Sequence, residues 1–338
     1  MTKKVIIVSV LLLCVTVLAL VTAGENKQKS DNPTAASEPN QPARTPEKKQ
    51  PQPETSDAEK PSSDTNNNTS IDDNQLEELP NESPLPAFYA ACEVVYSSCV
   101  NDNGDVDYSF LRRKRSDLIN VLRILETTHP AQVMAMNDAE KQAFWINAYN
   151  LCTLKLIIDN YPIEPKWYMI LYPNNSIMQI SNPWTKNYFK IQGLEYNLHE
   201  IEQELLLDRF HDPRICFALS NATRGGPYLR KEPYRAEELN DQLDAQVHRY
   251  LENPRGLRWD NENRILYISN LFNMHRDVFL KSKYAEIKKF RNRKDDERVW
   301  LNFLITYLPP EQVKLLENTD YMIRFIEYDW SLNEFSSQ

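Results

Sequence analysis

Cysteine is scarce in this 338-residue chain: Cys14 near the start, then Cys92, Cys99, Cys152 and Cys216. So sparse a set excludes a disulfide-scaffolded miniprotein, although the last four are even in number and an oxidising compartment would permit bridges. Cys152 and Cys216 sit inside apolar runs, where free thiols behave as small hydrophobes. Cys92 and Cys99 are seven apart, about 10 Å along one helix and too far to bridge. Also missing are HExxH, a CxxC pair, GxSxG, GxGxxG and a P-loop. The five histidines (129, 199, 211, 248 and 275) lack metal-ligand spacing, so no metal and no cofactor is expected. A basic patch is missing too. Of the net charge of -9, about -7 falls in residues 25–85, from 13 acidic and 6 basic side chains. Nothing in the remainder suggests a nucleic-acid footprint.

Large apolar residues are almost absent from 25–85, which is rich in Pro, Asn, Ser, Thr, Glu and Lys. Such a segment cannot bury enough surface to offset its ordering entropy, and it is expected to be a disordered spacer. The Asn-X-Ser/Thr triplets at Asn67, Asn68 and Asn81 fall in or beside it. Before it, Lys3 and Lys4 precede an uncharged run from Val5 to Ala23. Nineteen residues at 1.5 Å each reach about 28 Å, enough to span a bilayer as an anchor through residues 5–23. Val21-Thr22-Ala23 followed by Gly24 would equally serve as a signal-peptide cleavage site. Residues 1–24 are therefore a signal peptide or signal anchor. Either way the following domain is expected outside the cytoplasm, membrane-anchored or secreted.

Only residues 86–338 can build a core. Helical patterns run over about 87–99, 115–127, 138–160, 198–208, 236–252 and 296–307. In the fifth of these, Leu239, Leu243, Val247, Tyr250 and Leu251 share one face. Strand-like runs lie at 188–192, 194–197, 214–220 and 264–269. Helices dominate and a small sheet is inserted among them, which predicts one α+β domain.

Three features invite chemistry. Asn147 is a polar group in the apolar stripe of Phe144, Leu151, Leu154 and Ile158. Buried without partners it would cost about 1 to 3 kcal/mol, so it is either a satisfied core amide or part of a site. The segment Asn221-Ala-Thr-Arg-Gly-Gly-Pro follows an apolar run. Its paired glycines permit positive φ and an anion-binding nest beside Arg224, or simply a tight turn. Asp102-Asn-Gly-Asp-Val-Asp107 has the look of a calcium loop but lacks the closing glutamate, which favours a turn.

The chain resembles the bacterial and plant family catalogued as domain of unknown function 547, from about Asp105 to Asn333. The stretches that carry the resemblance are Val106-Asp-Tyr108, Ala143-Phe-Trp-Ile-Asn-Ala-Tyr-Asn150, Leu198-His-Glu-Ile-Glu202, Asp212-Pro-Arg-Ile-Cys-Phe-Ala-Leu219, Pro227-Tyr-Leu-Arg230 and Tyr328-Asp-Trp-Ser-Leu-Asn333. The resemblance implies a histidine directly after Ile201-Glu202 and a cysteine directly before Pro227. Together they look like a thiol nucleophile and its base, as in papain-like or transglutaminase-like hydrolases. Here those positions are Gln203 and Gly226. Glycine offers no nucleophile, and glutamine is no base near neutral pH. The resemblance therefore implies a distant papain- or transglutaminase-like scaffold that has lost its chemistry. An extracytoplasmic ligand- or partner-binding cleft lined by Asn147, Glu202, Asn221, Arg224, Gly225 and Gly226 is the expectation. The alternative is a hydrolase or transferase with a substitute nucleophile, Thr223 or Ser220, served by His199.

Overall fold

The computed structural model describes residues 83–335. The N-terminal apolar run with its Cys14, the spacer up to residue 82 and the triplet asparagines Asn67, Asn68 and Asn81 lie outside the described residues. Among the described residues no helix is long and apolar enough to cross a membrane.

The domain is helix-rich α+β. Helix α1 (Leu85–Cys99) buries Phe88, Cys92, Val95, Tyr96 and Cys99. It is followed by α2 (Tyr108–Arg113), α3 (Arg115–Thr127) and α4 (Pro130–Ala135). The acidic loop before α2 is a turn: Asn101 Oδ1 accepts from the Asn103 and Asp105 amides, and Asp107 caps α2 through the Phe110 amide. No group of residues able to hold a metal occurs among the described residues.

The long helix α5 (Asp138–Asn160) is the spine. Asn137 and Glu140 close a capping box at its start, and the Tyr161-Pro162 sequence stops it. From Ala143 to Leu154 every side chain is buried, so α5 runs through the core rather than along its surface. Two of its amides pin distant segments. Asn147 donates to the carbonyls of Ala143 (2.9 Å) and Tyr234 (2.8 Å) and accepts from the Tyr234 amide (3.0 Å). Asn150 donates to the Ala218 carbonyl (3.1 Å) and accepts from the Ser220 amide (2.8 Å).

A hairpin of β1 (Tyr188–Ile191) and β2 (Leu194–Asn197) leads directly into α6. This helix begins as an α turn (Leu198–Glu200), widens to a π segment (Ile201–Leu207) and ends in a last turn (Asp208–Phe210). A second capping box, Asn197 with Glu200, fixes its start. The run expected as a strand at 214–220 is instead a 3-10 helix, Pro213–Phe217. Asp212 caps it, and the Arg214 guanidinium binds Asp212 at 2.7 Å and Asp244 at 3.0 Å. Asp244 belongs to α7 (Leu239–Leu251), so this ion pair locks the 3-10 turn to that helix.

The second sheet orders β3 (Leu257–Asp260), β4 (Ile265–Ser269) and β5 (Met322–Ile326), with β3 antiparallel and β5 parallel to β4. Between β4 and β5 lie α8 (Leu271–Met274), α9 (Arg276–Lys281), α10 (Asp295–Tyr307) and α11 (Pro310–Asn318). An aromatic cluster of Phe217, Phe272, Phe279 and Phe303 joins the 3-10 turn to α8, α9 and α10. Cys92, Cys99, Cys152 and Cys216 are all free and buried.

Two other segments bear on the site. Residues 161–176 contain no helix or strand and expose Trp167, Tyr168, Ile170 and Leu171 to solvent by 57 to 90%. Buried Gln179 holds this segment's backbone, accepting from the Lys166 amide and donating toward the carbonyls of Met169, Tyr172 and Pro173. After β5 the chain returns across the domain. The Arg224 amide donates to Ser331, the Asn333 amide to Ala222, and the Val106 amide to Asn333.

Candidate functional site

A cavity of about 220 Å³ opens where α5, α6, the 3-10 turn, α8 and the returning C-terminal segment meet. Its lining includes Tyr149, Trp184, Glu202, Asn221, His275 and Trp330. The π segment in α6 bears on this face. Bonds to the fifth rather than the fourth residue re-aim side chains, and such segments recur at functional sites. His199, Glu202 and Gln203 all reach the cavity from α6, His199 at its exposed rim.

Glu202 is the central ionisable group. Burial raises its carboxyl to about 7, opposed only by a hydrogen bond from Tyr149. The Tyr149 hydroxyl donates to Oε2 across a long 3.5 Å. His275 approaches from the α8–α9 junction, its Nδ1 lying 3.6 Å from Oε1. That is an ion-pair distance, but burial lowers His275 to about 4 and so holds the imidazole neutral near pH 7. We therefore read the two as a desolvated pair without a settled charge partner. Neither lysine nor arginine lines the cavity.

The walls are aromatic. The Trp184 and Trp330 rings stand 6.4 Å apart at 76° to one another. Trp330 is braced from behind by Tyr172 (5.9 Å, edge-on) and Tyr328 (4.6 Å). Gln179 also donates to the Tyr172 carbonyl, so that staple supports a wall of the cavity.

Beside the cavity the Ser220–Gly226 loop closes on itself. The Asn221 amide donates to the Tyr328 hydroxyl (2.7 Å), and the Thr223 hydroxyl donates to Asn221 Oδ1 (2.6 Å). Tyr328 and Thr223 hydroxyls meet at 2.9 Å. With the Thr223 proton on Asn221, the Tyr328 proton completes a ring of three hydrogen bonds in which each group both gives and accepts. A Cβ built on Gly226 would stand 2.2 Å from Asn221 Oδ1 and 2.8 Å from both hydroxyls of this ring. Neither Gly225 nor Gly226 takes the positive φ that the pair permits; the Gly226 amide donates to the Thr223 carbonyl (3.2 Å) and closes the tight turn that was the other reading. Ala222 takes a positive φ instead, at 60°. Gly225 is glycine for a similar reason of space, since its Cβ would lie 2.7 Å from the Asp329 amide.

Of the six residues expected to line one cleft, the structure brings Glu202 and Asn221 to this cavity. Asn147 is elsewhere, fully buried and satisfied by Ala143 and Tyr234. Arg224 and Gly225 border a different depression with Arg255 and Asp329, and the Arg224 guanidinium donates to the Glu334 carbonyl (2.8 Å). Gly226 packs under the hydrogen-bonded ring. Ser220 is buried, and its amide is held by Asn150. Sequence reasoning missed Tyr149, Trp184, His275 and Trp330. Tyr149 and Trp330 lie inside stretches that carry the family resemblance, which was the available signal. His275 and Trp184 had none.

Cys216 also borders the cavity, yet it is 1% exposed, and burial together with the Glu202 charge pushes its thiol well above the ordinary range. It is correspondingly poor as a nucleophile.

A family model described as "Protein of unknown function, DUF547" matches residues 133–251. The matched stretch takes in α5, the β1–β2 hairpin, α6 and α7, including Glu202 and Asn221, and ends before His275 and Trp330. No curated protein and no solved structure matches the chain.

Proposed function

We propose that this is an extracytoplasmic, non-catalytic ligand-binding domain, descended from a thiol-hydrolase scaffold, whose site is the cavity between Glu202 and the two tryptophans. One observation carries the reading. At Gly226, where the family resemblance implies a cysteine, there is room for no side chain, because the ring of Asn221, Thr223 and Tyr328 fills the space. Of the two hydroxyls that would serve as a substitute nucleophile, Ser220 is buried and Thr223 is itself a member of that ring. Thr223 is 1% exposed and its proton is committed to Asn221. A hydroxyl nucleophile needs an aligned base, and Thr223 bonds to an amide and a phenol rather than a histidine. The neighbouring cavity stays open and keeps a buried acid, an arrangement that suits recognition.

The test exposes the full-length protein to an acyl-ester and peptide-ester library, read by mass spectrometry for covalent adducts and turnover. Wild type, Thr223→Ala and His199→Ala are all expected to show neither. Turnover by wild type that disappears in either variant would establish the substitute-nucleophile hydrolase and overturn this reading. Turnover that survives both would overturn it as well and move the search for a nucleophile elsewhere.

A further inference from the structure

The cavity has an unusual set of walls for its size. At about 220 Å³ it is smaller than the roughly 300 to 1,000 Å³ typical of drug-sized ligand sites, so it suits a headgroup rather than a whole metabolite. Two indole rings that both line the cavity stand at 76° to one another and form a corner, and Tyr149 adds a third aromatic group. One carboxylate, Glu202, lies among them with no cationic side chain in the lining. Its nearest basic neighbour, His275 at 3.6 Å, is buried and neutral near pH 7. Aromatic faces carry negative potential and attract cations most strongly when water is excluded. A desolvated carboxylate lacking a counter-charge asks for the same thing.

Resting on the reading of this cavity as a ligand site, we infer that its ligand presents a small organic cation, a quaternary or alkylated ammonium group, seated in the Trp184–Trp330 corner against the Glu202 carboxylate. The ammonium supplies the positive charge that the site lacks. Its methyl groups pack on the indole faces, and no covalent step is involved. Gln203, a neutral and partly exposed residue of the lining, leaves room for a polar remainder of the ligand outside the corner.

Binding is then linked to the proton on Glu202. The titratable groups facing it are Tyr149 from α5, Cys216 from the 3-10 turn, His199 from its own helix, His275 from the α8–α9 junction and Tyr328 from the C-terminal segment. Burial holds Tyr149, Cys216 and Tyr328 protonated and His275 neutral over pH 5 to 8. Affinity for a cation should rise by up to about tenfold per pH unit as pH climbs toward about 7, then level off.

The experiment uses the full-length chain with choline and its neutral isostere 3,3-dimethyl-1-butanol, followed by intrinsic tryptophan fluorescence and checked by calorimetry. Choline is expected to bind, with the alcohol at least about tenfold weaker. Glu202→Gln should weaken choline by on the order of tenfold or more and abolish the pH dependence. Trp184→Leu should weaken choline by about tenfold while Trp184→Phe retains most of the affinity. Equal binding of choline and the alcohol would overturn the cation while leaving a ligand cavity in place. Choline binding that is indifferent to Glu202→Gln would overturn it too. Binding of neither probe at millimolar concentration would also overturn it, leaving the wider reading to the turnover screen.

Discussion

At Gly226 a single methyl group would press on Asn221 Oδ1 at 2.2 Å and on two hydroxyls at 2.8 Å, so even alanine must prise the hydrogen-bonded ring apart. Gly226→Ala is therefore expected to cost about 2 to 3 kcal/mol, read from the shift in denaturant midpoint. Gly193 provides the contrast. It takes φ 73°, but an added Cβ there meets nothing within 4 Å, so Gly193→Ala should cost only about 1 kcal/mol from backbone strain. Equal losses at the two positions would mean that the ring yields easily, and the case against a side chain at 226 would weaken. None of this crowding is readable from the local sequence. The Gly-Gly pair announces a turn, but the obstructing Tyr328 hydroxyl comes from a residue far along the chain. Asn147 was more open to reading: a polar residue in an apolar stripe must find partners, and it found them in the backbone of Tyr234.

At the scale of elements, long periodic segments declared themselves, as did the short alternating runs at 188–192, 194–197 and 264–269 that became β1, β2 and β4, while other short elements did not. The expected helices at 115–127 and 138–160 match the observed bounds, because α3 and α5 carry many apolar residues at helical spacing. The five apolar or small residues Ile215–Leu219 looked like a strand, yet a run that short cannot distinguish a buried strand from a buried turn of helix. Strand β5 was missed because its exposed and partly buried side chains do not alternate cleanly. The four- to six-residue helices α2, α4, α8 and α9 are too short to show a period. In the 161–176 segment, exposed Trp167, Tyr168 and Leu171 should be the first chymotryptic cuts within residues 83–335, located by mass spectrometry of a limited digest. Gln179→Ala, which frees three carbonyls and one amide, should accelerate that cut several-fold and weaken whatever binds against Trp330. Cleavage at unchanged rate in the variant would show that the staple does not control the segment.

For the whole molecule, the Glu202–His275 pair shapes how stability depends on pH. Glu202 is raised by burial to about 7 in the fold, so between its ordinary value and 7 the folded state holds more protons than the unfolded state. Its contribution therefore falls as pH rises through that window. His275 is lowered to about 4, so between about 4 and its ordinary value the unfolded state holds more protons, and stability rises with pH there. The two slopes oppose one another across most of the acid range and give a plateau, with the carboxyl's loss uncovered just above it. Removing the acid should expose the histidine. Relative to wild type, Glu202→Gln should gain stability from pH 4.5 to 7.5, by up to about 3 kcal/mol, measured by chemical denaturation across pH. A difference that stays flat with pH would mean that Glu202 is not desolvated in solution.

The cavity is also a meeting of early and late chain. Tyr149, Glu202 and Asn221 are translated well before His275, and Tyr328 and Trp330 follow later still, on a segment whose backbone bonds to Val106, Ala222 and Arg224. A nascent chain stopped at residue 320 would possess the floor of the cavity and its acid but neither Trp330 nor the phenol that closes the ring around Gly226. Assembly of the site thus waits on the last-translated of its own walls, after every element from α1 to β5 has been made.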